Sequence, residues 1–210
     1  MNEWLFPLVR LVAPNLDDAG VPYAIVGGLA QSIRAQPRFT RDADFALAVT
    51  DDADAERAAR HLLTAGLSID VTLDRKDTGR LATIRLRAPD GYDHPRAAVE
   101  RPYVDLLCCA CGIEPEIIAA AERFELDPGL TLPVARVPHL MAMKLLSASK
   151  RRKQDYVDLD HLIAVATDDD LATVRDLLAL IAQRGHAPDP PTPDLPARFA
   201  DLLAEHGRTT

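Results

Sequence analysis

The order of apolar and polar positions predicts an α/β core followed by helices. Short apolar runs alternate with stretches of helical spacing up to about residue 136, and from Pro138 onwards the spacing is helical throughout. Strands are predicted at 23–26, 42–49, 67–73, 81–87, 103–107 and 130–134. Helices are predicted at 3–19, 29–34, 52–65, 114–124, 139–149, 155–166, 171–184 and 197–206, with a proline-rich connector at 187–196.

Two carboxylates stand at the start of the second predicted strand. Asp42 and Asp44 are separated by one residue, and side chains alternate across a strand, so both point to one face. Like charges held this close repel unless a cation or solvent separates them. Oxygen ligands suit Mg²⁺ or Mn²⁺. An isolated Asp-x-Asp is more often a polar strand edge, so the pair needs support from elsewhere in the chain.

A Gly-Gly pair supplies some of that support. Gly27 and Gly28 fall where the strand at 23–26 gives way to the helix at 29–34. Glycine there permits a positive φ and a close approach of backbone amides, and the helix N-terminus favours an anion. A tight strand-to-helix turn explains the glycines equally well. Together with the carboxylates, however, they resemble the two halves of a nucleoside triphosphate site.

These residues resemble a known family. Gly27-Gly28 followed by Arg38-x-Thr40-x-Asp42-x-Asp44 is similar to the signature of the DNA polymerase β-like nucleotidyltransferases, in the version found in AbiEii and MenT type toxins. The resemblance implies an α+β fold. It also implies a nucleotidyltransferase core of mixed β-sheet flanked by helices over residues 1–136, and a C-terminal helical domain over residues 137–210.

The family places a third carboxylate on a later strand. Asp105, within the strand at 103–107, fits this demand best, because the flanking VDLL and the helical segment after it resemble the corresponding block of the family. Asp70 is the rival, since it also lies in an apolar strand. An isolated acid in such a strand is otherwise usually hydrogen-bonded and structural.

A second group of charged residues lies in the helical region. Lys144 stands in an apolar helix turn, where a lysine reaches solvent or meets an anion. Residues 150–153 are four consecutive basic residues, which form either a solvated loop or a patch that receives phosphates. Helix capping alone would explain Asp155. Yet Lys144 followed by Arg152-x-x-Asp155-x-x-Asp158 resembles the helical-domain motif of the same toxin-like transferases.

The resemblance implies a metal-dependent transfer of NMP from an NTP to a hydroxyl acceptor, with release of pyrophosphate. Asp42, Asp44 and Asp105 are the expected catalytic residues and ligands of Mg²⁺ or Mn²⁺. The nucleotide is expected to contact Gly27, Gly28, Ser32, Arg38, Thr40 and Lys144. The site would be ordered, or the acceptor positioned, by Arg152, Asp155 and Asp158.

The acceptor and the partners are left open. By resemblance, the 3′ end of tRNA is the leading acceptor, a protein hydroxyl is second, and an antitoxin protein is an expected partner. The alternatives are an aminoglycoside-type small molecule as acceptor, or a catalytically silent module that binds a nucleotide or a partner. The basic residues at 150–153 favour RNA, whereas the scarcity of aromatic residues does not.

Composition narrows these alternatives only slightly. The chain has 210 residues, of which 48% are hydrophobic and 27% charged, as in a globular protein able to bury a core. The net charge of −8 argues against non-specific binding of nucleic acid, although a local basic patch is compatible with it. The cysteines Cys108, Cys109 and Cys111 are expected to be small apolar residues of a buried strand. No apolar run approaches membrane-spanning length, and a cytoplasmic location is expected.

Overall fold

The computed structural model describes residues 2–92, 101–149, 152–186 and 194–208. These residues form a seven-stranded mixed sheet with the order β3-β4-β5-β2-β1-β7-β6. The strands are β1 Tyr23–Val26, β2 Ala43–Leu47, β3 Ser68–Asp74, β4 Leu81–Arg87, β5 Tyr103–Leu107, β6 Glu122–Asp127 and β7 Leu130–Val134. The neighbouring pairs β2/β5 and β1/β7 are parallel, and the other neighbours are antiparallel.

An α-helix precedes the strands, and the other α-helices lie between the strands or follow them. They are α1 Phe6–Asp18, α2 Gly27–Arg34, α3 Asp52–Thr64, α4 Glu114–Ala119, α5 Val137–Ser147, α6 Lys153–Val165, α7 Asp168–Gln183 and α8 Leu195–Glu205. The sheet and helices share one hydrophobic core, in which Phe45, Leu106 and Leu8 are fully buried. The expected α+β fold, with a mixed sheet followed by helices, is confirmed.

Helix α2 connects the sheet to the helices that follow it. It begins directly after β1, packs against β1 and β2, and contacts α5 and α6. Helix α5 contacts α6, α7 and α8, and α7 also contacts α8. None of the helices in the described part of the chain has the length and apolar character needed to cross a membrane.

The predicted helix over residues 114–124 is wrong at its C-terminal end. Helix α4 ends at Ala119, and Glu122–Asp127 forms β6, which pairs with β7 across the tight turn at Pro128 and Gly129. The local sequence continues in helical spacing, but the antiparallel partner supplies backbone hydrogen bonds that local spacing does not report.

The cysteines were also predicted imprecisely. Strand β5 ends at Leu107, so Cys108, Cys109 and Cys111 follow the strand rather than forming part of it. Cys108 and Cys111 are buried and all three thiols are free. Burial raises the pKa of the Cys108 thiol to about 12, as expected of a buried and unreactive cysteine.

Candidate active site

A row of paired residues crosses the middle of the sheet. Val26 on β1 pairs with Asp44 on β2, and Asp44 pairs with Asp105 on β5. Asp105 in turn pairs with Arg85 on β4, and Arg85 pairs with Val71 on β3. Residues directly opposite each other point to the same face of a sheet. The face of the sheet that carries Asp44 therefore also carries the Asp105 carboxylate and the Arg85 guanidinium on the next two strands.

Asp44 lies against the Gly-Gly turn. Gly27 has a φ of +60°, and a Cβ built on it would lie 1.9 Å from Oδ2 of Asp44, so only glycine fits there. The backbone N–H of Gly28 donates to the Asp44 carboxylate. Burial, followed by repulsion from Asp105 and Asp42, raises the pKa of Asp44 to about 7. The site therefore holds this carboxylate at an electrostatic cost that a bound cation would offset.

Asp42 lies one residue before β2 begins, and it shares the electrostatic environment of Asp44. Burial, and then repulsion from Asp105, raises the pKa of the Asp42 carboxyl. Arg85 and the backbone N–H of Tyr103 act in the opposite direction. Asp42 and Asp44 thus form a pair of carboxylates that both resist ionisation when no cation is near.

Asp105 differs from these two because it has its own counter-ion. It is 7% exposed, and Arg85 donates from Nε and Nη2 to its two carboxylate oxygens at 2.7 and 2.6 Å. This bidentate contact raises the pKa of Arg85 above its ordinary value. Asp70, the rival on the edge strand β3, instead pairs with Arg87.

Asp42 and Asp44 offer carboxylate oxygens, which are suitable ligands for a divalent cation. Among the residues with described positions, no three or more His, Cys, Asp or Glu side chains are arranged as a metal cage. Mg²⁺ does not need one, since it uses one or two carboxylates together with water and substrate phosphates. Asp42 and Asp44 meet this requirement, while both oxygens of Asp105 are engaged by Arg85.

The segment between α2 and β2 brings Arg38 and Thr40 to the Gly-Gly turn. A Cβ built on Gly28 would lie 2.5 Å from Thr40 Oγ1 and 3.1 Å from an Arg38 Nη2, so both side chains pack against this glycine. Ser32 is buried, and its hydroxyl donates to the carbonyl oxygen of Gly28 at 2.9 Å. Ser32 thus stabilises the Gly27-Gly28 turn through a hydrogen bond to its backbone.

Lys144 meets two acids rather than solvent. It is 9% exposed, and its Nζ lies 2.8 Å from Asp155 Oδ1 and 2.8 Å from Asp158 Oδ2. Asp155 also accepts from Ser147 Oγ at 3.0 Å and pairs with Arg152 at 2.9 Å. The lysine on α5 is therefore fixed by carboxylates of α6.

Arg38 extends this network to the sheet. Its Nε and Nη2 donate to the two carboxylate oxygens of Asp158 at 2.7 and 2.8 Å. Burial opposes ionisation of Asp158, but hydrogen bonds from Arg38 and Lys144 outweigh it and hold the pKa of this carboxyl below its ordinary value. One buried carboxylate thus connects the segment before β2 to both helices.

These groups surround a cleft of about 930 Å³ between the sheet and helices α5 and α6. Most of the predicted site residues line it, namely Gly27, Gly28, Arg38, Thr40, Asp42, Asp44, Asp105, Lys144, Arg152 and Asp155. Ser32 and Asp158 lie behind this lining. Of the predicted basic cluster, Lys150 and Arg151 lie outside the described residues, as do residues 187–193 of the predicted connector.

Two residues that the sequence did not single out have notable contacts here. Arg85 pairs with Asp105, and Asn2 bonds the segment between α2 and β2. The alternating pattern of β4 already put Arg85 on one face of a strand, but the register that aligns it with Asp105 comes from pairing across the sheet. The pattern gives no signal for Asn2.

A known protein family matches nearly the whole chain. The family described as nucleotidyl transferase AbiEii toxin, type IV TA system, matches residues 11–208. Among curated protein sequences, none matches the chain significantly.

Solved structures show more distant likeness. A lincosamide antibiotic adenylyltransferase bound to lincomycin is 16% identical, with a TM-score of 0.45 over 79% of this chain and 98% of that one. The antibiotic-resistance factor ANT(2″)-Ia in solution is 13% identical, with a TM-score of 0.48 over 99% of both chains. A CCA-adding enzyme with ATP is 12% identical, with a TM-score of 0.35 over 91% of this chain and 56% of that one.

Proposed function

The chain belongs to the nucleotidyl transferase AbiEii toxin family of type IV toxin-antitoxin systems, and on that premise we propose that it transfers NMP from an NTP to a hydroxyl group of RNA, at a tRNA 3′ end. The observation that carries this proposal is the pairing of Asp44 with Asp105 on adjacent strands, beside Asp42 and the Gly27-Gly28 turn. An acceptor hydroxyl and a nucleoside triphosphate both need to reach such a group of acids.

Asp42 and Asp44 would hold Mg²⁺ or Mn²⁺. When bound, the cation would neutralise charge on the phosphates and lower the pKa of the acceptor hydroxyl. This proposal is supported by the raised pKa of both carboxyls, which a cation would reverse.

Asp105 would face the acceptor. In our proposal one of its oxygens accepts a hydrogen bond from the acceptor hydroxyl and takes the proton as the hydroxyl attacks the α-phosphorus and pyrophosphate leaves. Arg85 holds the carboxylate in a fixed orientation on β5. The preference for Asp105 over Asp70 is supported by its direct pairing with Asp44, since Asp70 lies on the edge strand and pairs with Arg87.

The β- and γ-phosphates would lie against helices α5 and α6. Lys144, Ser147 and Arg152 line the cleft on that side and offer donors, although all three contact Asp155. Gly27 and Gly28 also line the cleft at the N-terminus of α2, where they pack against the Asp44 carboxylate and the side chains of Thr40 and Arg38.

Transfer of label tests the proposal. The purified protein is incubated with each α-³²P-labelled NTP, Mg²⁺ and either deproteinised total RNA, RNA-free cell extract or small-molecule acceptors. We expect label in tRNA-sized RNA, and a loss of more than about a hundredfold for Asp42→Asn, Asp44→Asn and Asp105→Asn. Asp70→Asn is the matched control and should retain activity. Wild-type transfer by the Asp105→Asn variant would contradict the assigned role.

A small-molecule acceptor is the second candidate. Val71 and Leu73 on β3 line the cleft with 42% and 57% of their surface exposed, and the chain carries a net charge of −8. An apolar wall in an acidic protein suits an uncharged or cationic molecule better than a polyanion. Label in an aminoglycoside or lincosamide alone would favour this candidate over RNA, and label in extract protein would favour a protein hydroxyl.

Partners and cellular role follow from the family. We propose that the protein acts as a toxin in the cytoplasm and that a second protein serves as its antitoxin. Growth arrest on expression, abolished by Asp44→Asn and relieved by a gene adjacent to this one, is the expected result. The catalytically silent alternative would be favoured if calorimetry detected NTP binding without any transfer to the three classes of acceptor.

A further inference from the structure

Asn2 is nearly enclosed by the segment between α2 and β2. It is 3% exposed, and its Nδ2 donates to the carbonyl oxygen of Arg38 at 2.8 Å and to Ser32 Oγ at 3.2 Å. Its Oδ1 accepts the backbone N–H of Thr40 at 3.1 Å. The side-chain amide therefore uses both ends and bonds to both neighbours of Phe39.

The segment over residues 35–42 has no helix or strand to fix it. Its backbone relies on contacts with side chains, and Ser32 Oγ accepts the N–H of Arg38 at 3.3 Å as one of them. The ring of Phe39 stacks on Trp4 with 5.7 Å between centroids and 20° between planes. Asn2 and Trp4 together thus hold this segment from the N-terminal side.

Asp42 depends on this segment more than Asp44 does. Asp44 lies inside β2 and is paired on both sides, with Val26 and with Asp105. Asp42 precedes the first residue of β2 and follows Thr40 by two positions. A shift of Thr40 would therefore move Asp42 before it moved Asp44.

We propose that Asn2 is a positioning residue, which fixes the backbone from Arg38 to Thr40 and so holds the Asp42 carboxylate where it can share a divalent cation with Asp44. The inference rests on the proposed function for its catalytic meaning. Asn2 lies before residues 11–208, the part of the chain that matches the family, so membership of the family assigns it no role.

The test uses two variants of Asn2 and one matched control. Asn2→Ala removes all three hydrogen bonds. Asn2→Asp keeps the shape and an acceptor for Thr40 but has no N–H for the carbonyl oxygen of Arg38. The control is Asn15→Ala, which removes an asparagine whose Nδ2, among the described residues, donates to the carbonyl oxygen of Leu11 within α1 at 2.8 Å.

The first measurement is binding of Mn²⁺ to the full chain without nucleotide, by electron paramagnetic resonance, with thermal melting recorded alongside. We expect both Asn2 variants to raise the Mn²⁺ dissociation constant about tenfold, the effect of losing a residue that orients a metal ligand. The second measurement is NTP transfer, where kcat should fall by about the same factor and be partly restored by excess Mn²⁺. Asn15→Ala should match the wild type in both.

The inference is overturned if Mn²⁺ binding by either Asn2 variant equals that of Asn15→Ala, or if the wild type binds no Mn²⁺. It is also overturned if kcat falls while the Mn²⁺ requirement stays unchanged, because a smaller folded fraction alone would give that result. A wild type that binds Mn²⁺ but transfers no nucleotide would contradict the proposed function, while the comparison of Mn²⁺ affinities would still test Asn2.

Discussion

Arg85 on β4 donates hydrogen bonds to both carboxylate oxygens of Asp105 on β5, at 2.7 and 2.6 Å. Asp105 in turn pairs with Asp44 on the next strand, β2. Asp105 therefore has its own counter-ion, whereas the described part of the chain gives neither Asp42 nor Asp44 a bidentate arginine. Burial and repulsion raise the pKa of both Asp42 and Asp44. Arg85 thus orients Asp105, while Asp42 and Asp44 are the carboxylates that we propose to hold a cation.

Replacing Arg85 should shift the pH dependence of transfer. Arg85 lowers the pKa of Asp42, so Arg85→Ala should raise that pKa further and move the acid limb of the kcat/KM profile to higher pH. We expect a shift of roughly one pH unit, the lower end of what a close opposite charge produces. The matched control is Arg87→Ala, because Arg87 lies on the same strand and pairs with Asp70. Equal shifts in both variants would show that the shift does not come from the loss of Arg85 beside Asp42.

The contribution of Asp44 to the stability of the metal-free protein should fall as pH rises. The pKa of Asp44 is about 7 in the folded protein against an ordinary value of 3.8, so the folded state binds the extra proton between these limits. The stability that protonated Asp44 contributes is therefore fully present below about pH 4 and is lost as pH rises to about 7. Asp44→Asn should escape this loss and melt at least about 2 °C above the wild type at pH 8 without metal.

Divalent cations and an exposed acid provide the controls for this prediction. Mg²⁺ should raise the melting temperature of the wild type at pH 8 and have little effect on Asp44→Asn, because binding to the folded state stabilises it. Asp18→Asn changes an exposed acid and should leave the melting temperature unchanged. A melting temperature of Asp44→Asn below that of the wild type at pH 8 would contradict the assignment of Asp44 as a costly charge.

Gly27 should tolerate no side chain. Gly27→Ala adds a Cβ that would lie 1.9 Å from the Asp44 carboxylate, so Asp44 must move and transfer should fall by about a hundredfold. Gly129→Ala is the matched control, since Gly129 also has a positive φ, of +73°, but has no atom within 4 Å of the added Cβ. Both variants should lose about 1–2 kcal/mol from backbone strain, and only Gly27→Ala should lose activity. Comparable transfer rates would rule out close packing of Gly27 on Asp44 as a requirement.

Lys144 should be needed for folding as well as for the nucleotide. Lys144→Met leaves the buried carboxylates of Asp155 and Asp158 without their shared cation, and breaking such a buried pair typically costs about 3–5 kcal/mol. Asp155→Asn added to Lys144→Met should recover part of that loss, measured by urea unfolding in a double-mutant cycle. Additive losses in the double variant would mean that the two side chains do not interact in solution.

Most of the candidate site can be predicted from local sequence. The spacing of Asp42 and Asp44, the glycines before them and the apolar strand around Asp105 are all readable locally, and the structure brings these residues together around one cleft. The strand at Glu122–Asp127 was missed because its helical spacing is outweighed by hydrogen bonds to β7. Ser32 stays a predicted phosphate contact, and in the structure its hydroxyl hydrogen-bonds backbone carbonyl oxygens.

The sequence by itself determined the α/β plan, the carboxylate pair and the acids that accompany it, because these depend on local periodicity and on short motifs. Only the tertiary structure decided that Asp105 lies beside Asp44, that Arg85 neutralises it, and that Asn2 bonds the segment before Asp42. Those facts depend on strand register and on contacts between residues 20 or more positions apart. Long-range pairing of this kind leaves no periodic trace in the chain.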